Sequence, residues 1–214
     1  MVEKPKTIRE LGPVDIAEIK SLVLKTSDHV WDLCDRQKEN KFFCFHDTAH
    51  IVFRFTPGNR SPKEFYSTPV WNFWAPFLLP IMNSVTEVYG YSRREFPKVM
   101  LARLKAGQVI DRHVDGAGSN LQTHKIHVPL FTNERARMYI QPHEYHLREG
   151  FAYEVNNIVS HGVENFGDTD RIHLIFECFD AAVTNGAPED SDPEAFAASH
   201  SNAQNARLTS RPAA

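Results

Sequence analysis

The chain has 214 residues, 42% of them hydrophobic, and a formal net charge of −3. That is enough apolar material for one sizeable core, and the charge balance gives no reason to expect nucleic acid or an anionic membrane surface as a partner. Cys34, Cys44 and Cys178 make an odd set without a CxxC pair, which suits small apolar side chains in a reducing cytoplasm better than a disulfide framework.

At the N-terminus no charged-then-apolar leader pattern is visible and no apolar run reaches transmembrane length, so a soluble, unexported, cytoplasmic protein is expected. Residues 14–25 place Ile16, Ile19, Leu22 and Val23 at helical spacing behind Asp15, which predicts an amphipathic helix. Residues 29–39 mix Trp31 and Leu33 with charges, and Phe42, Phe43, Cys44 and Phe45 read as a short aromatic strand. A second strand runs from Ile51 to Phe55 and stops at Pro57-Gly58. Arg54 within it is expected to face outward, with a substrate carboxylate contact as the alternative. From Pro69 to Tyr89 aromatic and aliphatic residues recur at near-helical spacing, interrupted by Pro76 and Pro80; this predicts a broken helix packed on a sheet, with Trp71 and Trp74 in the core rather than in a pocket wall.

After Pro97 short strands alternate with turns: 98–105, 109–110 with 113–115, 125–131, 137–141 and 151–155. Residues 161–166 and 171–179 read as a hairpin. Regular short strands of this kind argue for a double-sheet jelly roll, a double-stranded β-helix of the cupin type, with helices packed outside. The expected organisation is one domain over 1–182, with a mixed helical and strand part at 1–97 and the jelly-roll core at 98–182. Residues 183–214 are rich in Ala, Asn, Ser, Pro and acidic residues, too poor in apolar surface to offset chain entropy, and are expected to be disordered.

Within the core, His113 and Asp115 stand two apart, so in an extended strand they face the same way and can hold one metal ion. His161 would complete the set. Two imidazoles and one carboxylate leave coordination positions free, as ferrous iron needs for a chelating co-substrate and oxygen. Arg171 alternates with the apolar row Ile172, Leu174 and Phe176, so it lies on the other face with His173. A buried arginine is costly without an anion, which argues for a bound carboxylate. Tyr139 and Gln141 share a strand face and are candidates to line the co-substrate pocket. His143 and His146 follow Pro142 in a loop without a third ligand, and His124 should face away from His127 as a packing or surface residue.

Three segments, LARLKAGQVIDRHVDG (101–116), THKIHVPLFTN (123–133) and VSHGVENFGDTDRIHLIFE (159–177), resemble the aspartyl/asparaginyl β-hydroxylase family within the iron(II)- and 2-oxoglutarate-dependent oxygenases. The resemblance implies that His113, Asp115 and His161 bind iron and that Arg171 pairs with the distal carboxylate of 2-oxoglutarate. It sets Lys125 and His127 where the family has a basic residue and a histidine near the co-substrate. The family often carries Arg at the Lys125 position, and a lysine cannot make the same two-pronged contact.

The implied activity is hydroxylation of a C–H bond in an amino acid, peptide or protein residue, with 2-oxoglutarate and O2 consumed and succinate and CO2 released. The expected partner is thus a small amino-acid-like or peptidyl substrate. The alternative from another class is a non-catalytic jelly roll that senses or binds a ligand in the same cavity, and zinc-dependent hydrolysis is a third. A sensor has no need of vacant iron positions, and nothing beside the triad marks a water-activating base.

Overall fold

The computed structural model describes residues 1–39 and 43–182, and among them twelve strands form two antiparallel sheets. The larger sheet has the order β1 (Ile8–Pro13), β10 (Phe151–Val155), β7 (His124–Phe131), β12 (Arg171–Asp180), β5 (Val99–Leu104), β2 (Thr48–Phe55) and β3 (Tyr66–Ser67), with β4 (Arg94–Glu95) pairing β12 off this path. The smaller has the order β6 (Val109–His113), β11 (His161–Asn165), β8 (Ala136–Ile140) and β9 (His143–Tyr145). This is the jelly roll that the strand spacing predicts. No helix among the described residues is long and apolar enough to cross a membrane.

The two faces of the larger sheet do different work. Its outer face packs Leu101, Ile126, Leu130, Leu174 and Phe176 against α1 (Ala17–Leu24) and α3 (Trp71–Thr86), which contribute Ile19, Val23, Trp74, Leu78 and Met82. Its inner face meets the smaller sheet, with Leu104, Ile110, Met138, Ile140, Tyr153, Val155 and Val163 forming a second cluster. Alternation along β12 follows from this: Ile172, Leu174, Phe176 and Cys178 join the helix-side core, so Arg171, His173, Ile175 and Glu177 are turned to the interior between the sheets. Trp71 and Trp74 belong to the core, as their spacing predicts.

Three expectations change, and a segment that carried none forms a helix. The helix at 71–86 is continuous, not broken: both prolines sit on its exposed face, where the carbonyls they leave unpaired reach water, while the buried stripe holds the helix to the sheet. Residues 29–39 fall largely in a second helix, α2 (Asp28–Gln37), started by the Ser27 hydroxyl accepting from the Val30 amide at 3.4 Å. Its only buried side chain is Trp31, so it carries no apolar stripe for periodicity to find. Phe43–Phe45 form a 3-10 turn instead of a strand, and Phe42 lies outside the described residues.

The third change concerns residues 161–179, which are not a hairpin. β11 pairs with β6 and β8 in the smaller sheet, whereas β12 pairs with β4, β5 and β7 in the larger. The connection between them crosses from one sheet to the other and is fixed by Asn165, whose side-chain amide donates to the carbonyls of Leu104 (3.1 Å), Lys105 (3.1 Å) and Thr169 (3.0 Å). At Gly167 a Cβ would lie 2.0 Å from the Asn133 side chain, so a larger residue there would displace that side chain. The predicted tail, 183–214, lies outside the described residues.

Candidate active site

His113 closes β6 and His161 opens β11, and the two face each other as a cross-strand pair. Asp115 lies just beyond the end of β6, so strand alternation alone does not aim it; its amide donates to the Asn157 carbonyl at 2.9 Å. One ligand atom from each of these three side chains lies within 4.8 Å of the others, the sole such His/Cys/Asp/Glu group among the described residues.

The surrounding hydrogen bonds prepare those atoms. His113 Nδ1 donates to the Asp111 carbonyl (2.7 Å) and His161 Nδ1 to the Val159 carbonyl (2.9 Å). A carbonyl can only accept, so each ring carries its proton on Nδ1 and presents the Nε2 lone pair. Both Nε2 atoms face Asp115 Oδ1, at 3.6 and 3.9 Å. The other carboxylate oxygen, Oδ2, is occupied by Lys125 Nζ and by Asn157 Nδ2 (2.9 Å). Burial alone would raise the Asp115 carboxyl, but the charges of Lys125 and His161 hold it well below the usual carboxylate range. Burial lowers His161 to about 4, which keeps it neutral and able to ligate near neutral pH.

The same cavity is lined by Arg171, His127, Lys125, His113, Asp115 and His161. Arg171 is 3% exposed and has no carboxylate within ion-pair distance among the described residues. Its Nη2 donates to His173 Nδ1 at 2.9 Å, and burial pushes the guanidinium down to about 9. Both ring nitrogens of the buried His127 lack a hydrogen-bond partner, and burial lowers the ring well below its ordinary value. A buried cation without an anion and an orphaned imidazole in one cavity fit an absent anionic ligand. Lys125, expected near the co-substrate, has its ammonium on Asp115.

Several other polar groups reach this space. Lys98 Nζ donates to Glu177 Oε1 (3.0 Å) and Asn120 Oδ1 (2.9 Å), and all three residues line the cavity. Cys44, Phe45 and His50 supply a wall from the N-terminal half, and the Phe45 ring meets His113 edge to face at 5.2 Å. None of these was singled out from the sequence. For Glu177 a signal existed, since it continues the alternation that turns Arg171 inward.

Other expected residues lie elsewhere. Tyr139 and Gln141 line a separate shallow recess on the outer face of the smaller sheet, with the Tyr139 hydroxyl donating to Glu164 (3.0 Å); the inward residues of β8 are Ala136, Met138 and Ile140. His146 Nδ1 donates to the Ala136 carbonyl (3.2 Å), and His124 is a buried packing residue stacked on Tyr89 and bonded to Glu154 (2.6 Å). Arg54 is partly buried, 4.0 Å over the Trp71 ring, and does not line the cavity.

Fold and site together define a jelly roll that encloses a His/Asp/His cluster and a buried guanidinium. Residues 75–180 match the family model described as Aspartyl/Asparaginyl beta-hydroxylase. The family matched is one of hydroxylases. No curated protein matches the chain. Among solved structures, EvdMO1 is 13% identical with a TM-score of 0.53, covering 82% of this chain and 47% of that one, and shares the fold. Two others are a 2OG-Fe(II) oxygenase family oxidoreductase from Burkholderia pseudomallei (14% identity, TM-score 0.48, 63% and 67% covered) and the viral collagen prolyl hydroxylase of Paramecium Bursaria Chlorella virus-1 in its 2OG complex (12%, 0.46, 80% and 95%).

Proposed function

We propose that this chain is an iron(II)- and 2-oxoglutarate-dependent dioxygenase that hydroxylates a C–H bond of an amino acid, peptide or protein residue. The observation that carries the proposal is the pairing, in one cavity, of a His113/Asp115/His161 cluster with an arginine buried without an anion. When bound, iron and 2-oxoglutarate would supply the oxidising chemistry, with the co-substrate converted to succinate and CO2. The three clustered residues would hold the metal through His113 Nε2, Asp115 Oδ1 and His161 Nε2, with Asp115 limited to one oxygen because Lys125 and Asn157 occupy the other. Arg171 would receive the far carboxylate of the dicarboxylic acid, its fork oriented by His173. His127, whose two ring nitrogens lack a partner, would bond the same acid.

Anaerobic addition of Fe(II) and 2-oxoglutarate to the protein tests this. A visible charge-transfer absorption should appear only with both, and should be lost in His161→Ala and Asp115→Ala. A protein that binds zinc but gives no such absorption would instead favour a binding module. Succinate release screened across amino acids, dipeptides and cell extracts would then identify the substrate.

A further inference from the structure

We propose that the buried Lys98–Glu177 pair is the recognition site for the charged head of a free α-amino acid, so that the substrate is a zwitterion and not a residue inside a polypeptide. The inference rests on the oxygenase reading above and narrows it.

The pair lies at the end of the cavity that the metal and the dicarboxylate leave open. On β12 the interior-facing row begins at Arg171 and ends at Glu177, roughly 20 Å of strand apart. Lys125 stands directly opposite Glu177 across β7 and β12 and reaches back to Asp115, while His127, opposite Ile175, has Asp115, His161 and Arg171 as charged neighbours, so the His/Asp/His cluster faces the middle of this row. The stretch from the cluster back to Arg171 is assigned to 2-oxoglutarate. The Lys98–Glu177 end, walled by Phe55, Met100 and Asn120, is what remains for the molecule to be oxidised.

The bonding of the pair leaves room for a ligand. Lys98 Nζ uses two donors, to Glu177 Oε1 and Asn120 Oδ1, and an ammonium has three. Glu177 accepts from Lys98 at Oε1 and from the Thr123 hydroxyl (2.9 Å) at Oε2, which leaves lone pairs on both oxygens. Lys98 is 6% exposed and Glu177 2%. A buried ion pair of this kind adds little to stability compared with apolar side chains, so folding does not explain it.

An α-amino acid carries its ammonium and carboxylate on one carbon, a spacing suited to a pair whose nitrogen and oxygen are 3.0 Å apart. With the ammonium on Glu177 and the carboxylate on Lys98, both charges of the amino-acid head meet an opposite charge. A residue within a peptide has neither charge.

The full-length protein, anaerobic and loaded with Fe(II) and 2-oxoglutarate, is titrated with each free proteinogenic amino acid and with its N-acetyl amide. Binding is read from the perturbed charge-transfer absorption and, independently, from the melting temperature. At least one free amino acid should bind, and its N-acetyl amide about tenfold more weakly or worse. The double variant Lys98→Met/Glu177→Met removes both charges together and avoids stranding either. It should keep the iron and 2-oxoglutarate absorption but lose amino-acid affinity by about tenfold or more. If the absorption forms but no free amino acid binds, if the N-acetyl amides bind equally well, or if the double variant binds like wild type, the inference is overturned alone. If the absorption never forms, the oxygenase reading falls and this inference falls with it.

Discussion

Asp115 divides its carboxylate between two tasks: Oδ1 faces the two imidazoles while Oδ2 is held by Lys125 and Asn157. Asn157 is therefore a positioning residue for the proposed metal ligand. Asn157→Ala should raise the dissociation constant for Mn(II) or Co(II) by about tenfold, measured by metal titration of chelator-treated protein, without changing the ligand set. Arg171 presents the opposite case, a cation held in a buried place with no counter-charge among the described residues. In the absence of ligand, Arg171→Met should be more stable than wild type by roughly 1–3 kcal/mol, because a desolvated charge is removed. Addition of 2-oxoglutarate should then raise the melting temperature of the wild type and leave that of the variant unchanged. A variant that is destabilised and still responds to 2-oxoglutarate would separate Arg171 from the co-substrate.

Among the elements, α3 tolerates two prolines because both point to solvent, yet each still lacks an amide donor. Pro80→Ala restores the bond to the Pro76 carbonyl on the exposed face and should stabilise the protein by roughly 1–3 kcal/mol in denaturant unfolding. The same element shows what the sequence can tell. Apolar spacing at Trp71, Trp74, Leu78, Ile81 and Val85 announces a helix, but it is silent on whether Pro76 and Pro80 break it, since that depends on which face is wet. α2 is illegible for the converse reason, having one buried residue in ten. In the core, alternation was enough to turn Arg171 inward and to separate it from Ile172, Leu174 and Phe176. It was not enough to assign β11 and β12 to different sheets, because a turn rich in Gly and Asp suits a hairpin and a crossing equally well. The cluster itself was legible from residue type and order, whereas Asn157 and Lys98 were not, since their contacts come from chain segments far away in sequence.

At the scale of the whole molecule, the Lys125–Asp115 pair ties the two sheets together: Lys125 belongs to β7 of the larger sheet, and Asp115 follows β6 of the smaller. The folded carboxyl of Asp115 is held below its ordinary value of 3.8, with burial opposing and the charges of Lys125 and His161 prevailing. The sign follows directly. A depressed acid contributes stability that is whole above the unfolded pKa and drains away as pH falls toward the folded one. In chelator-treated protein, the contribution of Asp115 to stability should therefore be lost below about pH 4, and Asp115→Asn should lessen the decline in that range. At neutral pH Asp115→Asn should cost roughly 2–3 kcal/mol, because it strands the partly buried ammonium of Lys125. Adding Lys125→Met to Asp115→Asn should recover most of that loss, since the pair is then removed together and no charge is left alone. Urea unfolding of wild type, Asp115→Asn, Lys125→Met and the double variant at pH 7 and pH 3 measures the coupling. If the four stabilities add independently at pH 7, the pair does not join the sheets, and the placing of Asp115 must come from its backbone bond to Asn157 instead.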